Sequence, residues 1–256
     1  MVEIPTIAEL RARTQPSAVL DRPNAEHWAG RYYLRKVSPY VTRVAIRMGL
    51  SANLVTWLMI IVGLAGAWSF AAPSAWPLVG VVSIQLYLLL DCVDGEVARF
   101  NQTQSPIGVY LDRWGHYVVE GSMFAALGVR AAGGNETNYV IIGLAATTLA
   151  LLSKTETDLV DSARLQSGLR PMPQTATTME KSALAKGRRL VRFFPFHRLA
   201  HAAEASLVAG AAVVIDLLRH DLTATRIVIV GLLGIVALVM PLHLVSVLTS
   251  TRLTAD

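Results

Sequence analysis

A single cysteine, Cys92, stands among 256 residues, so no disulfide within the chain holds it together. Charge is scarce too: 16% of residues are Asp, Glu, Lys or Arg, against about 25% in soluble domains. The alternating segments of about ten residues that mark a transmembrane barrel do not occur. The first fifty residues lack the early apolar stretch of a cleavable signal peptide. What the chain has in excess is apolar length. Hydrophobic residues make up 53% of it, mean hydropathy is +0.46, and runs long enough to cross a bilayer core of about 30 Å recur. The fold class this implies is all-α: a polytopic membrane protein of about six transmembrane helices preceded by an amphipathic surface helix.

Net charge is +5, which in a soluble protein would raise nucleic acid as a partner. Here no nucleic-acid partner is expected, because the basic residues flank apolar runs and suit anionic headgroups of membrane lipids. The first fifteen residues read as polar and loose. From 24 to 48 apolar and basic residues interleave, with Ser38-Pro39 as a break or a new helix start. Spans are expected at 54–72, 76–98, 107–129, 139–152, 202–218 and 227–248, the fourth being the shortest. Two units follow: a polar and amphipathic juxtamembrane segment, 1–50, and a six-helix unit, 51–256. Basic residues crowd the N-terminal region and the stretch 154–198, while the loops at 72–75 and 133–138 carry almost no charge. Both termini are therefore expected inside, in the plasma (inner) membrane.

Two spans break the apolar rule. Asp91, Asp94, Glu96 and Arg99 close the second; Asp112, Arg113, His116 and Glu120 fall in the first half of the third. Ionisable groups in a span cost roughly 2.5–3.5 kcal/mol each on insertion scales, so they mark a functional site or a wet cavity. Asp91 and Asp94 share a helical face, as do Asp112 and His116. A short turn between two antiparallel helices would bring these faces together at the cytoplasmic end. Crowded carboxylates repel unless a divalent cation joins them, and oxygen ligands favour Mg²⁺, Mn²⁺ or Ca²⁺. Gly95, Ala98 and Gly108 either admit a flat group or a phosphate to the backbone or simply allow tight helix packing.

The stretch Asp91-Cys92-Val93-Asp94-Gly95-Glu96-Val97-Ala98-Arg99, followed after eight residues by Gly108, Asp112 and His116, resembles the CDP-alcohol phosphotransferase signature. Seven of its eight fixed positions agree; the fourth aspartate is replaced by His116. Asn53 and Thr56 at the opening of the first span are similar to the family as well. The resemblance implies a transferase of phospholipid biosynthesis. It would move a phosphoalcohol group from a CDP-alcohol, either CDP-diacylglycerol or a soluble CDP-polyol, to a hydroxyl on a free or phosphorylated acceptor, releasing CMP. It implies Mg²⁺ or Mn²⁺ held by Asp91, Asp94, Asp112 and His116, and a cytidine pocket of Gly95, Ala98 and Gly108 with Asn53, Thr56 and Arg99 beside it. Asp112 and His116 would be catalytic, His116 as general base, its ordinary pKa near 6.5 suiting that work. It also implies a homodimer. Lys186 and Arg189, with the neighbouring arginines, either hold an anionic acceptor or set topology. His197, His201 and Glu204 read as a polar cavity lining before a second metal site. The competing reading, carried by His116 alone, is a non-catalytic relative that binds nucleotide or metal.

Overall fold

The computed structural model describes residues 5–16, 33–170 and 201–254, and every regular element among them is helical. Helix α1 spans Ile7–Thr14, α2 Arg35–Arg47, α3 Ala52–Ser69, α4 Trp76–Asn101, α5 Pro106–Ala132, α6 Thr137–Gln166, α7 Ala202–Arg219 and α8 Thr223–Leu248; a 3₁₀ turn follows at Thr251–Leu253. Helices α3, α4, α6 and α8 are long and apolar enough to cross a membrane by length and composition. Their outward faces expose Ile61, Val82, Ile141 and Leu238, which suits lipid rather than water. Helices α5 and α7 coincide with the other two expected spans but carry ionisable side chains along their length.

Local chemistry sets the boundaries. The Ser51 and Ser105 hydroxyls accept from the backbone N–H groups of Leu54 (3.3 Å) and Gly108 (3.1 Å), capping α3 and α5. Pro77 and Pro106 occupy first-turn positions, where a missing N–H costs nothing. Helix α4 ends with Gln102 left-handed, and α5 starts four residues on, so the two run antiparallel as expected. Asp216 on α7 accepts from the N–H groups of Ala224 (2.8 Å) and Thr225 (3.1 Å), satisfying donors at the N-terminus of α8.

Helix α4 packs against α1, α2, α3 and α7, while α3 lies between α4 and α5. Close approach needs small residues. A Cβ at Gly63 would lie 2.7 Å from atoms of both Tyr87 and Val119, so only glycine leaves room for the Tyr87 ring. Gly128 and Gly143 bring α5 and α6 together in the same way: a Cβ on the former would sit 2.8 Å from the latter's Cα.

Three expectations are corrected. Within the first fifteen residues, 7–14 are not loose but form α1, opened by a capping box between Thr6 and Glu9, with Leu10 fully buried against Ala45, Val93 and Val97. Pro39 neither breaks nor starts a helix but lies inside α2. Its missing N–H frees the Arg35 carbonyl, and the Gln15 side-chain amide donates to it at 2.8 Å. Arg11 donates to the next carbonyl, Lys36, at 3.2 Å. Finally, the fourth expected span is the longest helix among the described residues, thirty residues, because the polar residues past Leu152 find partners on its neighbours. Lys154 pairs with Glu120 (3.0 Å), Glu156 with His243 (2.7 Å) and Asp158 with Arg113 (2.9 Å).

Candidate metal centre

Helices α4 and α5 carry the charged faces together. Donor atoms of Asp91, Asp112 and His116 all lie within 4.8 Å of one another. His116 Nε2 is 3.1 Å from Asp91 Oδ1 and 3.5 Å from Asp112 Oδ1. A carboxylate only accepts, so in this arrangement Nε2–H donates. The other ring nitrogen, Nδ1, hydrogen-bonds the hydroxyl of Tyr87, whose ring is fully buried and meets the imidazole edge-on, centroids 5.5 Å apart.

Asp94 lies outside this trio. It is buried, and the Thr56 hydroxyl donates to its Oδ2 at 2.7 Å. Thr56 and Asn53 thus reach the site from the first turns of α3. Asn53 faces Gly108: a Cβ there would lie 3.3 Å from its Oδ1. Over Gly95 sits the Arg99 guanidinium, with Nη1 3.0 Å from where a Cβ would stand. Arg99 Nε donates to the Thr14 carbonyl at 2.7 Å, so the end of α1 holds this side chain in place. Its buried Nη2 has no hydrogen-bond partner among the described residues. Ala98 is half-buried on the same helix. Lys186, Arg189 and His197 lie outside the described residues, while His201 and Glu204 open α7.

The donor set fits a divalent cation. Two carboxylates and an imidazole converge within one coordination sphere, an oxygen-rich set suited to Mg²⁺ or Mn²⁺, with nitrogen tolerated better by the latter. The unpartnered Arg99 nitrogen beside glycine backbone offers a donor to an anionic ligand.

Some of the machinery was not anticipated from sequence. Glu96, fully buried, accepts from Ser38 (2.5 Å), Thr42 (2.6 Å) and Gln15 (2.8 Å), and Arg35 approaches to 3.8 Å. It ties α1 and α2 to the end of α4 that carries the site. Tyr87 was missed too, although a hydroxyl-bearing ring one turn before Asp91 in an apolar run was its signal.

The family model described as CDP-alcohol phosphatidyltransferase matches residues 49–182, just over half of the chain. An archaetidylinositol phosphate synthase from Aeropyrum pernix is 35% identical over 83 residues, covering 32% of this chain and 41% of that protein. A phosphatidylinositol phosphate synthase from Streptomyces avermitilis is 31% identical over 113 residues, covering 44% and 46%. The chain thus aligns with less than half the length of either curated relative. In fold it is similar to Mycobacterium tuberculosis phosphatidylinositol phosphate synthase solved with manganese and citrate, at TM-score 0.56 and 20% identity over 86% of this chain and 92% of that one. The same protein with CDP-DAG bound gives TM-score 0.56 and 20% identity over 87% and 98%.

Proposed function

Because this chain belongs to the CDP-alcohol phosphatidyltransferase family, we propose that it transfers the phosphoalcohol group of a CDP-alcohol to an acceptor hydroxyl with release of CMP. The observation that carries the proposal is the convergence of Asp91, Asp112 and His116 inside the family's signature. A lipid donor of the CDP-diacylglycerol class is favoured over a soluble CDP-polyol, since the fold is similar to a synthase that binds CDP-DAG. The inositol phosphate synthases among the relatives point to a phosphorylated polyol as acceptor.

In the reaction the acceptor oxygen forms a bond to the phosphorus bearing the alcohol, and that phosphorus loses its bond to the CMP oxygen. A Mg²⁺ or Mn²⁺ ion would supply charge neutralisation on the pyrophosphate as CMP departs. Asp91, Asp112 and His116 would hold it, with Asp94 poised by Thr56. Arg99 would place its unpaired N–H against a donor phosphate, and Gly95, Ala98, Gly108 and Asn53 would line the nucleotide pocket. Of the two roles expected for His116, ligand is better supported than base, because its Nε2 converges with oxygens of Asp91 and Asp112 while Tyr87 engages Nδ1. The acceptor proton then falls to a carboxylate, and Asp112, whose side chain is 40% exposed, is the accessible one. Lys186 and Arg189 remain proposed contacts for the acceptor's phosphate.

The same proposal puts the site at the cytoplasmic face of the inner membrane, both termini inside, with six spans, a 51–256 catalytic unit preceded by the 1–50 juxtamembrane segment, and a homodimer. The outward face of α2, with Val37, Tyr40, Val44 and Met48 beside Arg43 and Arg47, suits a membrane surface. The test is CMP release by the purified chain with CDP-diacylglycerol or soluble CDP-alcohols, with and without inositol phosphate, in Mg²⁺ or Mn²⁺. Release that needs the metal and both substrates is expected. Asp91→Ala and Asp112→Ala should abolish it along with metal-dependent thermal stabilisation. A folded chain that binds metal yet releases no CMP from any donor would leave the non-catalytic reading.

A further inference from the structure

We infer that Tyr87 is a positioning residue for the metal centre: its hydroxyl holds Nδ1 of His116 so that Nε2, and only Nε2, is presented to the cation between Asp91 and Asp112. The inference rests on the proposed metal site and deepens it at the one position where this chain departs from its family's signature.

Tyr87 sits one turn before Asp91 on α4 and bridges to His116 on α5. It is fully buried, and its ring is lodged where Gly63 leaves room, so the hydroxyl has little freedom to leave. An imidazole needs such an anchor. Unlike an aspartate it can rotate to offer either nitrogen, and it brings no charge of its own to orient it towards a cation. Metal-bound histidines almost always donate their second N–H to an oxygen that fixes tautomer and ring plane.

A hydroxyl serves the ring in two states. With Nε2–H donating to Asp91, Nδ1 can accept from the Tyr87 O–H when it is bare, or donate to the Tyr87 oxygen when it carries a hydrogen. Were Nε2 to give its lone pair to a cation, the ring's one hydrogen would reside on Nδ1, and Nδ1–H would donate to the Tyr87 oxygen. A carbonyl in place of Tyr87 would serve only the second state, and an ammonium only the first.

The test is a double-mutant cycle on the full chain in detergent or nanodiscs, with Mn²⁺ affinity read from the Mn²⁺-dependent rise in thermal midpoint, no substrate present. Tyr87→Phe should weaken Mn²⁺ binding about 10- to 100-fold. In the His116→Asp background the same substitution should change it by less than about twofold, since the carboxylate has no second nitrogen to anchor. Equal losses in both backgrounds, or no loss in the native one, would overturn the inference while leaving the metal site standing. A native chain with no Mn²⁺ response would remove the metal site and this inference together. A second measurement needs no variant. In ¹⁵N-histidine-labelled chain saturated with Mg²⁺, the His116 signals should show a protonated Nδ1 and a bare Nε2; a proton retained on Nε2 would refute the assignment.

Discussion

Two buried carboxylates show how single residues are kept where water would be preferred. Asp94 is stabilised by the Thr56 hydroxyl, and Glu120, 3% exposed, by Lys154 at 3.0 Å. Removing one partner of such a pair costs more than the pair contributes, because the other is left desolvated. Thr56→Val keeps the shape but strands the Asp94 acceptor, and should lower stability by about 1–3 kcal/mol. Thermal melts in the absence of metal and substrate check this. Lys154→Met should be harsher, about 3–5 kcal/mol, since Glu120 Oε2 already lacks a partner among the described residues. Lys154→Arg should recover most of that loss; equal melting of the Met and Arg variants would show that the charge is irrelevant.

At the scale of elements, the N-terminal helices are held by polar contacts as well as by the apolar cluster around Leu10, Ala45 and Val93. The inward face of α2 presents Ser38 and Thr42 to Glu96, and the end of α1 adds Gln15 to the same carboxylate. Glu96→Ala would leave these donors unmatched. It should speed hydrogen exchange in α1 and α2 while α3 and α5 keep their protection, with at least about 3 kcal/mol lost overall. Because α1 also holds Arg99 through the Thr14 carbonyl, nucleotide affinity should fall with it. The start of α1 carries its own pH signal. Hydrogen bonds from the Thr6 backbone N–H and hydroxyl hold the Glu9 carboxyl below its ordinary range. A carboxyl lowered in the folded state stabilises above its unfolded pKa and ceases to do so as pH falls through the folded value. Protection factors of α1 amides should therefore fall as pH drops below the ordinary glutamate range, and Glu9→Gln should remove that acid step.

Across the whole molecule the two ends of the bundle differ. A cavity of about 440 Å³ lies between the α3–α4 turn and the ends of α5 and α7, lined by Arg130, Asp216 and His220. Arg130 is about 21 Å along α5 from His116 at 1.5 Å per residue, so this hollow is not the metal centre. With the α4–α5 turn expected in the cytoplasm, Thr103→Cys should resist an impermeant thiol reagent in whole cells, while Asn135→Cys at the other end should react. Cys92 is buried and gives little background. The reverse pattern would turn the site to the outside.

The all-helical class, four helices apolar enough to span a membrane and the convergence of charged side chains from two helices were legible in the sequence because each rests on a local physical cost. Apolar runs of bilayer length have one stable form in lipid, and carboxylates inside them are too expensive to be incidental. Helical spacing alone put Asp91 with Asp94 and Asp112 with His116. It did not show that Asp94 turns to Thr56, nor that His116 rather than Asp94 completes the trio with Asp91 and Asp112. Nor did it reveal Tyr87 behind the imidazole, Glu96 as the anchor of two helices, or a helix running past Leu152 to Gln166. These depend on how far each helix is rotated and how closely it approaches its neighbour. That is decided where glycines such as Gly63 and Gly128 let the backbones meet. Partners contributed by different helices are a property of packing, and only the tertiary structure chooses them.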